Sequence, residues 1–97
     1  MAKKIACLGD DLRVGTLVVG YIYSSGQDGT FLVDGAEVAV DGSKAFIYGT
    51  PPYLFDILPK TLKTFHNGKK IVNEDSCLVI NPGVLVKPPD DRKVNVE

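Results

Sequence analysis

The sequence predicts an all-β protein in which short strands and hairpins repeat with pseudo-three-fold symmetry. Apolar residues alternate or occur in short bursts that are rich in Val, Ile, Phe and Tyr, a pattern typical of strands. No segment sustains a 3.6-residue apolar period over three turns, so the pattern does not favour helices. A short motif also recurs three times along the chain at equal spacing, which indicates a repeat architecture.

The motif is KKIACLGD at 3–10, AEVAVDGS at 36–43 and KKIVNEDS at 69–76, so successive copies are 33 residues apart. The aligned apolar positions are Ile5, Val38 and Ile71, then Ala6, Ala39 and Val72, and later the pairs Leu12 and Val14, Ala45 and Ile47, and Leu78 and Ile80. Chance similarity between short alternating strands is the competing explanation. The equal offsets favour three units that close around a pseudo-three-fold axis.

Turn residues divide the rest of the chain into short elements. The predicted strands cover 3–8, 15–23, 30–34, 36–40, 45–49, 62–66, 69–73, 77–80 and 84–87. Two hairpins are marked by Asp34-Gly35 and Asn67-Gly68, dipeptides that supply the two positive φ angles of a type I′ turn.

Two segments depart from this pattern. Residues 51–59, PPYLFDILP, carry proline at both ends, which argues against a central strand there. We interpret them as an insertion that tucks its apolar side chains into the core, with a single helical turn as one form. An exposed loop that contacts a partner is the alternative. Residues 88–97 form a polar tail, either extended along the surface or disordered, so the predicted domain is 1–87.

Composition narrows the class of protein. The chain has 97 residues, so one domain is expected. Its net charge is -1, and nucleic acid is not an expected partner because phosphate binding requires clustered basic residues. The sequence offers no secretion signal or long apolar run at its start, and we expect assembly in a cytosol. Cys7 and Cys77 are therefore expected to be reduced and buried.

The chain offers little for catalysis or metal binding. His66, the one histidine, lies beside a predicted turn, and Asp10-Asp11 is interpreted as a turn rather than as a catalytic carboxylate pair. We therefore predict no enzymatic activity, no cofactor and no assigned metal ligands. A zinc site needs four ligands, and Cys7, Cys77 and His66 with a carboxylate remain open as candidates for one.

Several motifs resemble those of the PAAR-repeat proteins. KKIACLGD and the following Gly15-Thr16 are similar to the opening of that family, and Ser25-Gly26 through Asp34-Gly35 is similar to its next element. FHNGKKIVNEDSC at 65–77 resembles a further element, with Asn67-Gly68-Lys69, Asp75 and Cys77 in place. The motifs are short, but the resemblance spans most of residues 3–87.

The resemblance implies a cone-like cap on the blunt end of a homotrimeric β-helical spike, one cap per trimer, in a contractile phage tail or a type VI secretion system. It implies the sharp tip of a membrane-piercing device, in transient contact with the target cell envelope. It also implies a place at the virion tail tip, assembled in the host cytoplasm, or at the exported tip of a secretion system. From the repeat we predict Ile5, Val38 and Ile71 as spike-binding positions.

The chain departs from the family at the metal site. Many PAAR proteins hold zinc near the apex with three histidines and one cysteine, whereas DDLRVGT has no histidine and only Cys77 matches. Metal ligands are therefore not carried over. The alternative function is a small β-barrel module for single-stranded nucleic acid or a protein partner, with Tyr21, Tyr23, Phe31 and Phe65 as stacking platforms.

Overall fold

The computed structural model describes residues 3–27, 29, 31–49, 51, 53–61 and 63–96. These residues form strands and turns without a helix, as predicted. The strands are β1 (Lys3–Lys4), β2 (Asp11–Val14), β3 (Leu17–Ser24), β4 (Leu32–Val33), β5 (Ala36–Glu37), β6 (Lys44–Ile47), β7 (Leu54–Leu58), β8 (Phe65–His66), β9 (Lys69–Lys70), β10 (Cys77–Leu78), β11 (Leu85–Lys87) and β12 (Asn95–Val96).

The three motif copies form a closed ring at the centre of the molecule. Ala6 N donates to Val72 O at 3.0 Å, Val72 N to Ala39 O at 2.9 Å, and Ala39 N to Ala6 O at 3.0 Å. Isolated bridges join Ile5 to Asn73, Cys7 to Val38, and Val40 to Ile71. Each copy thus bonds to both of the others, which confirms the predicted three-fold repeat.

A closed barrel lies on one face of this ring. Its strand order is β10-β11-β2-β3-β6-β7, and neighbouring strands are antiparallel. It consists of three hairpins, one following each motif copy. The ring residues Ala6, Ala39 and Val72 belong to the barrel core, whose other buried members are Leu12, Ile22, Ala45, Ile57, Leu78, Val84 and Val86.

Three two-stranded arms lie on the opposite face of the ring. The first arm is β4–β5, the second is β8–β9, and the third is β1–β12. Ile5, Val38 and Ile71 belong to a second core, with Cys7, Val40 and Val33, and Ala36 and Val96 of the arms pack against it. Because successive residues of an extended chain point to opposite sides, one ring supplies both cores.

The turns of the first two arms confirm the hairpin prediction. Asp34 and Gly35 have φ angles of 53° and 80°, and Asn67 and Gly68 have φ angles of 52° and 79°. Positive φ at both central residues is the requirement of a type I′ turn. The third arm has no such turn, because its strands come from opposite ends of the described chain.

The segment at 51–59 departs from our preferred interpretation. It contributes β7, which pairs with β6 and β10 inside the closed barrel, rather than a helical turn tucked into the core. The strand spans Leu54–Leu58, between Pro51-Pro52 and Pro59, so no proline removes a donor from the barrel ladder. Ile57 points into the barrel core, whereas Leu54 and Leu58 are exposed. Strand β2 was also missing from the sequence prediction.

The polar segment at 88–97 is joined to the rest of the fold in the structure. Its strand β12 pairs with β1, and Val94 O accepts a hydrogen bond of 2.9 Å from Ile5 N. Arg92 is buried and donates to Ile5 O at 2.9 Å. The segment therefore completes the third arm.

Candidate docking face

The tips of the three barrel hairpins meet at one end of the molecule. Strands β2, β6 and β10 each start after the turn that ends a motif copy. One backbone hydrogen bond closes each turn. Asp10 N donates to Cys7 O at 3.0 Å, Ser43 N to Val40 O at 2.9 Å, and Ser76 N to Asn73 O at 3.0 Å. Since the ring relates these turns, the hairpins leave it in the same direction. Their tips therefore lie at the end of the barrel opposite the arms.

This end of the barrel is largely apolar, with one charged side chain at the first tip, where Arg13 Nη1 donates to Gly15 O at 2.8 Å. The tip segments 14–19, 47–55 and 78–86 contain no charged residue, although 24% of the chain is charged. Leu17 and Ile80 are each 68% exposed. We define the tip face by its exposed apolar residues, which are Val14, Leu17, Val18, Tyr48, Tyr53, Leu54, Val79 and Ile80. An apolar surface built from three separate segments is typical of an interaction site.

The spike-binding positions predicted from the sequence do not lie on this face. Ile5, Val38 and Ile71 are 0%, 0% and 1% exposed, in the core between the ring and the arms. Their side chains have no surface with which to contact a partner. The aligned positions of the repeat are those whose side chains pack in the core and close the fold. The exposed hairpin tips come later in the sequence of each repeat unit. Val14 and Ile80, aligned in the sequence as the second apolar positions, are on the tip face, whereas Ile47 is half-buried.

The tip face is not chemically symmetric. Beside the second hairpin, Tyr21, Phe46 and Tyr53 form a row with ring-centroid distances of 5.4 and 5.5 Å, and Tyr48 packs against Phe46 at 6.0 Å. Phe46 and Tyr48 were not singled out in the sequence, whereas Tyr53 belongs to residues 51–59, for which an exposed loop that contacts a partner was the alternative interpretation. Phe46 and Tyr48 alternate with the inward-facing Ala45 and Ile47. This period of two is the sequence pattern from which their outward orientation could have been predicted.

The four aromatic residues of the nucleic-acid alternative are divided between two regions. Tyr21 packs on Phe46 on the barrel, and Tyr23 follows on the same strand. Phe31 contacts His66 with a ring-centroid distance of 5.2 Å, and Phe65 lies on the second arm. Because the ring separates the barrel from the arms, these four side chains do not build one continuous stacking surface.

A buried ion pair joins the first motif copy to the 88–97 segment. Arg92 Nη1 and Nη2 donate to the two carboxylate oxygens of Asp10 at 2.9 and 3.0 Å. Asp10 Oδ2 also accepts from Cys7 N at 2.7 Å. Burial acts to lower the pKa of Arg92, but hydrogen bonding and the charge of Asp10 outweigh it and raise that pKa. Asp10 is thus a structural residue rather than half of a carboxylate pair with Asp11.

Neither cysteine has the surroundings of a reactive thiol. Cys7 and Cys77 are both free and buried. Burial raises the pKa of Cys7 to about 11, an effect that Arg92 opposes and Asp10 and Asp34 reinforce. At neutral pH the Cys7 thiol is therefore protonated, and a protonated buried thiol is a poor nucleophile.

The three candidate zinc ligands are not gathered into a site. Within the described ranges, no group of three or more His, Cys, Asp or Glu side chains is placed to hold a metal ion. Cys7 belongs to the core beside the arms, Cys77 is in β10 of the barrel, and His66 is in β8.

Chelation is expected to leave the melting temperature unchanged. Structural zinc contributes on the order of 10 kcal/mol to folding, so a protein that depended on it would unfold in a chelator. Cys77→Ser is expected to lower the free energy of unfolding only by the amount that a small change in a packed side chain causes. Thermal unfolding with and without a chelator measures the effect, and one tightly held metal per chain by elemental analysis would contradict the prediction.

Similarity to known proteins does not identify this chain. Among the described residues there is no helix long and apolar enough to cross a membrane. Searches against protein-family models, curated proteins and solved structures gave no match to this chain.

Proposed function

We propose that this protein is a structural cap that binds the blunt end of a homotrimeric β-helical spike, one cap per trimer. The observation that carries the proposal is the presence of three apolar hairpin tips at one end of a ring with three-fold backbone bonding. One chain can meet three identical partner chains only if it presents three similar faces around one axis.

The chemistry of such a partner matches the tip face. The last turn of a trimeric β-helix exposes unpaired N–H and C=O groups around an apolar core, and this edge is prone to association. Three hairpin tips with apolar side chains would cover the core and offer their turn backbone to the edge. Residues 14–19, 47–55 and 78–86 carry no charge of their own, so the desolvation penalty of ionised groups is confined to Arg13 at the first tip.

In this proposal the arms point away from the spike and form the leading end. The motif resemblance supports a contractile injection machine, either at a virion tail tip assembled in the host cytoplasm or at the exported tip of a type VI secretion system. The leading end would then meet the target cell envelope transiently during piercing. The role is mechanical, and the proposal includes no catalytic step and no nucleic-acid partner.

The proposal predicts a complex of one cap with three spike chains. Native mass spectrometry of the protein mixed with a trimeric β-helical spike fragment measures this ratio. Leu17→Asp and Ile80→Asp are each expected to weaken the complex at least tenfold, because burying one aliphatic side chain is worth roughly 1.5–3 kcal/mol. Affinity is expected to change little with salt, since apolar side chains supply most of the contact.

Leu32→Asp is the matched control. Leu32 is 53% exposed and lies on the first arm, so the same substitution there is expected to leave spike binding unchanged. Three caps per trimer, no complex with any cognate trimer, or equal losses from Leu17→Asp and Leu32→Asp would contradict the proposal.

A further inference from the structure

The second arm and the segment that leads into it are strongly basic. Residues 59–70, which we call the basic arm, contain four lysines and His66 and no acidic residue. The rest of the chain has seven basic against twelve acidic residues. The equivalent stretch one repeat earlier, 26–37, has three acidic residues and no basic one. The charge is therefore not required by the arm hairpin, although the Lys69-Lys70 pair recurs as Lys3-Lys4 on the third arm.

The lysines of the basic arm are available at the surface. Lys60, Lys63, Lys69 and Lys70 are all exposed, and no ion pair with a carboxylate is recorded for them among the described residues. Lys69 Nζ donates to the backbone carbonyl of Gly26 at 3.1 Å, a neutral acceptor that leaves the positive charge uncompensated. The arm thus presents several unneutralised charges within a short length of chain.

An exposed aromatic ring accompanies these charges. Phe65 is 53% exposed and lies directly across the hairpin from Lys70. It is held by the Asn67-Gly68 turn at the end of the molecule opposite the tip face. Lysines around an exposed apolar ring match the two layers of an anionic membrane surface, in which phosphate groups overlie acyl chains.

We propose that the basic arm binds the surface of membranes that contain anionic phospholipids. The lysines would attract the lipid phosphates, and Phe65 would enter the boundary between headgroups and acyl chains. A flat surface touches only the protruding end that meets it, so the acidic remainder of the molecule stays in water. A nucleic-acid strand would run past the arm over acidic surface, which disfavours that partner. This inference goes beyond the cap function and does not depend on it.

Co-sedimentation with vesicles tests the inference on the protein alone. We expect binding to vesicles of phosphatidylcholine with phosphatidylglycerol, no binding to pure phosphatidylcholine, and a loss of binding as salt is raised. Lys69→Gln/Lys70→Gln is expected to weaken partitioning roughly 25-fold, at about fivefold per lysine near an anionic surface. Phe65→Ser is expected to weaken it at least fivefold through a different contact.

Lys44→Gln/Lys87→Gln is the charge-matched control, because both lysines are exposed on barrel strands. This control is expected to bind vesicles as the unmodified protein does. Equal binding by both double variants, or equal binding to neutral vesicles, would overturn the inference. So would tighter binding to a single-stranded oligonucleotide that is lost in Lys69→Gln/Lys70→Gln. Spike binding by the arm variant is expected to persist, which separates this test from that of the cap function.

Discussion

Arg92→Met is expected to destabilise the protein by about 3–5 kcal/mol, a large share of the total stability of a domain this size. The substitution keeps an apolar stem but leaves Asp10 buried without its cation. Asp10 is 6% exposed and accepts two hydrogen bonds from Arg92. An unpaired buried carboxylate is costly because neither water nor a counter-charge stabilises it. Urea unfolding monitored by circular dichroism measures the change in stability.

The repeat itself supplies the compensating change. The positions equivalent to Asp10 are Ser43 and Ser76, and Ser76 Oγ accepts from Asn73 N at 3.1 Å as Asp10 accepts from Cys7 N. Asp10→Ser/Arg92→Met is therefore expected to recover much of the loss. Lys44→Met, which breaks an exposed pair with Asp56, is the control and is expected to cost at most about 1 kcal/mol. Equal effects of Arg92→Met and Lys44→Met would refute the buried-pair account.

Val38→Asp is expected to leave the protein largely unfolded at room temperature. Val38 is fully buried between the ring and the arms. The substitution removes roughly 1.5–3 kcal/mol of apolar burial and places a carboxyl group in an apolar core. Ile5→Asp and Ile71→Asp are expected to behave in the same way. Far-ultraviolet circular dichroism and urea titration measure the loss.

Leu17→Asp separates this effect from a loss of docking. It places the same charge on the exposed tip face and is expected to shift stability by no more than about 0.5 kcal/mol. If Val38→Asp stayed folded but failed to bind a spike trimer, the three aligned positions would be docking residues after all. Unfolding of Val38→Asp together with a folded, non-binding Leu17→Asp is the result that agrees with the structure.

The features of the fold that could be predicted are those encoded in short stretches of the sequence. The 33-residue spacing predicted that Ile5, Val38 and Ile71 are equivalent, and the ring confirms this. The two dipeptides predicted the arm turns, because type I′ geometry depends on just two residues. The all-β class followed from alternation, which needs no knowledge of the partners of each strand.

The unpredicted part depends on contacts between distant residues. Arg92 lies in a charged stretch that composition assigns to solvent, and it is buried only because Asp10 is 82 residues away in sequence and adjacent in space. Strand β7 was obscured by prolines that lie before its first residue. The tip face as a whole was not predicted for a related reason, since it forms only when the tips of three distant hairpins meet, and its exposed apolar residues differ in sequence from tip to tip.

Ring closure also limits how this architecture can change in evolution. In an open solenoid each repeat contacts only its neighbours, so copies are gained or lost at the ends with little disturbance. Here each of Ala6, Ala39 and Val72 both donates a hydrogen bond and accepts one within the cycle. A duplicated unit has no free edge to join, and a deleted unit leaves its neighbours without partners. Genetic change in repeat number is therefore blocked, and divergence is confined to the tips and arms, where the three units already differ most.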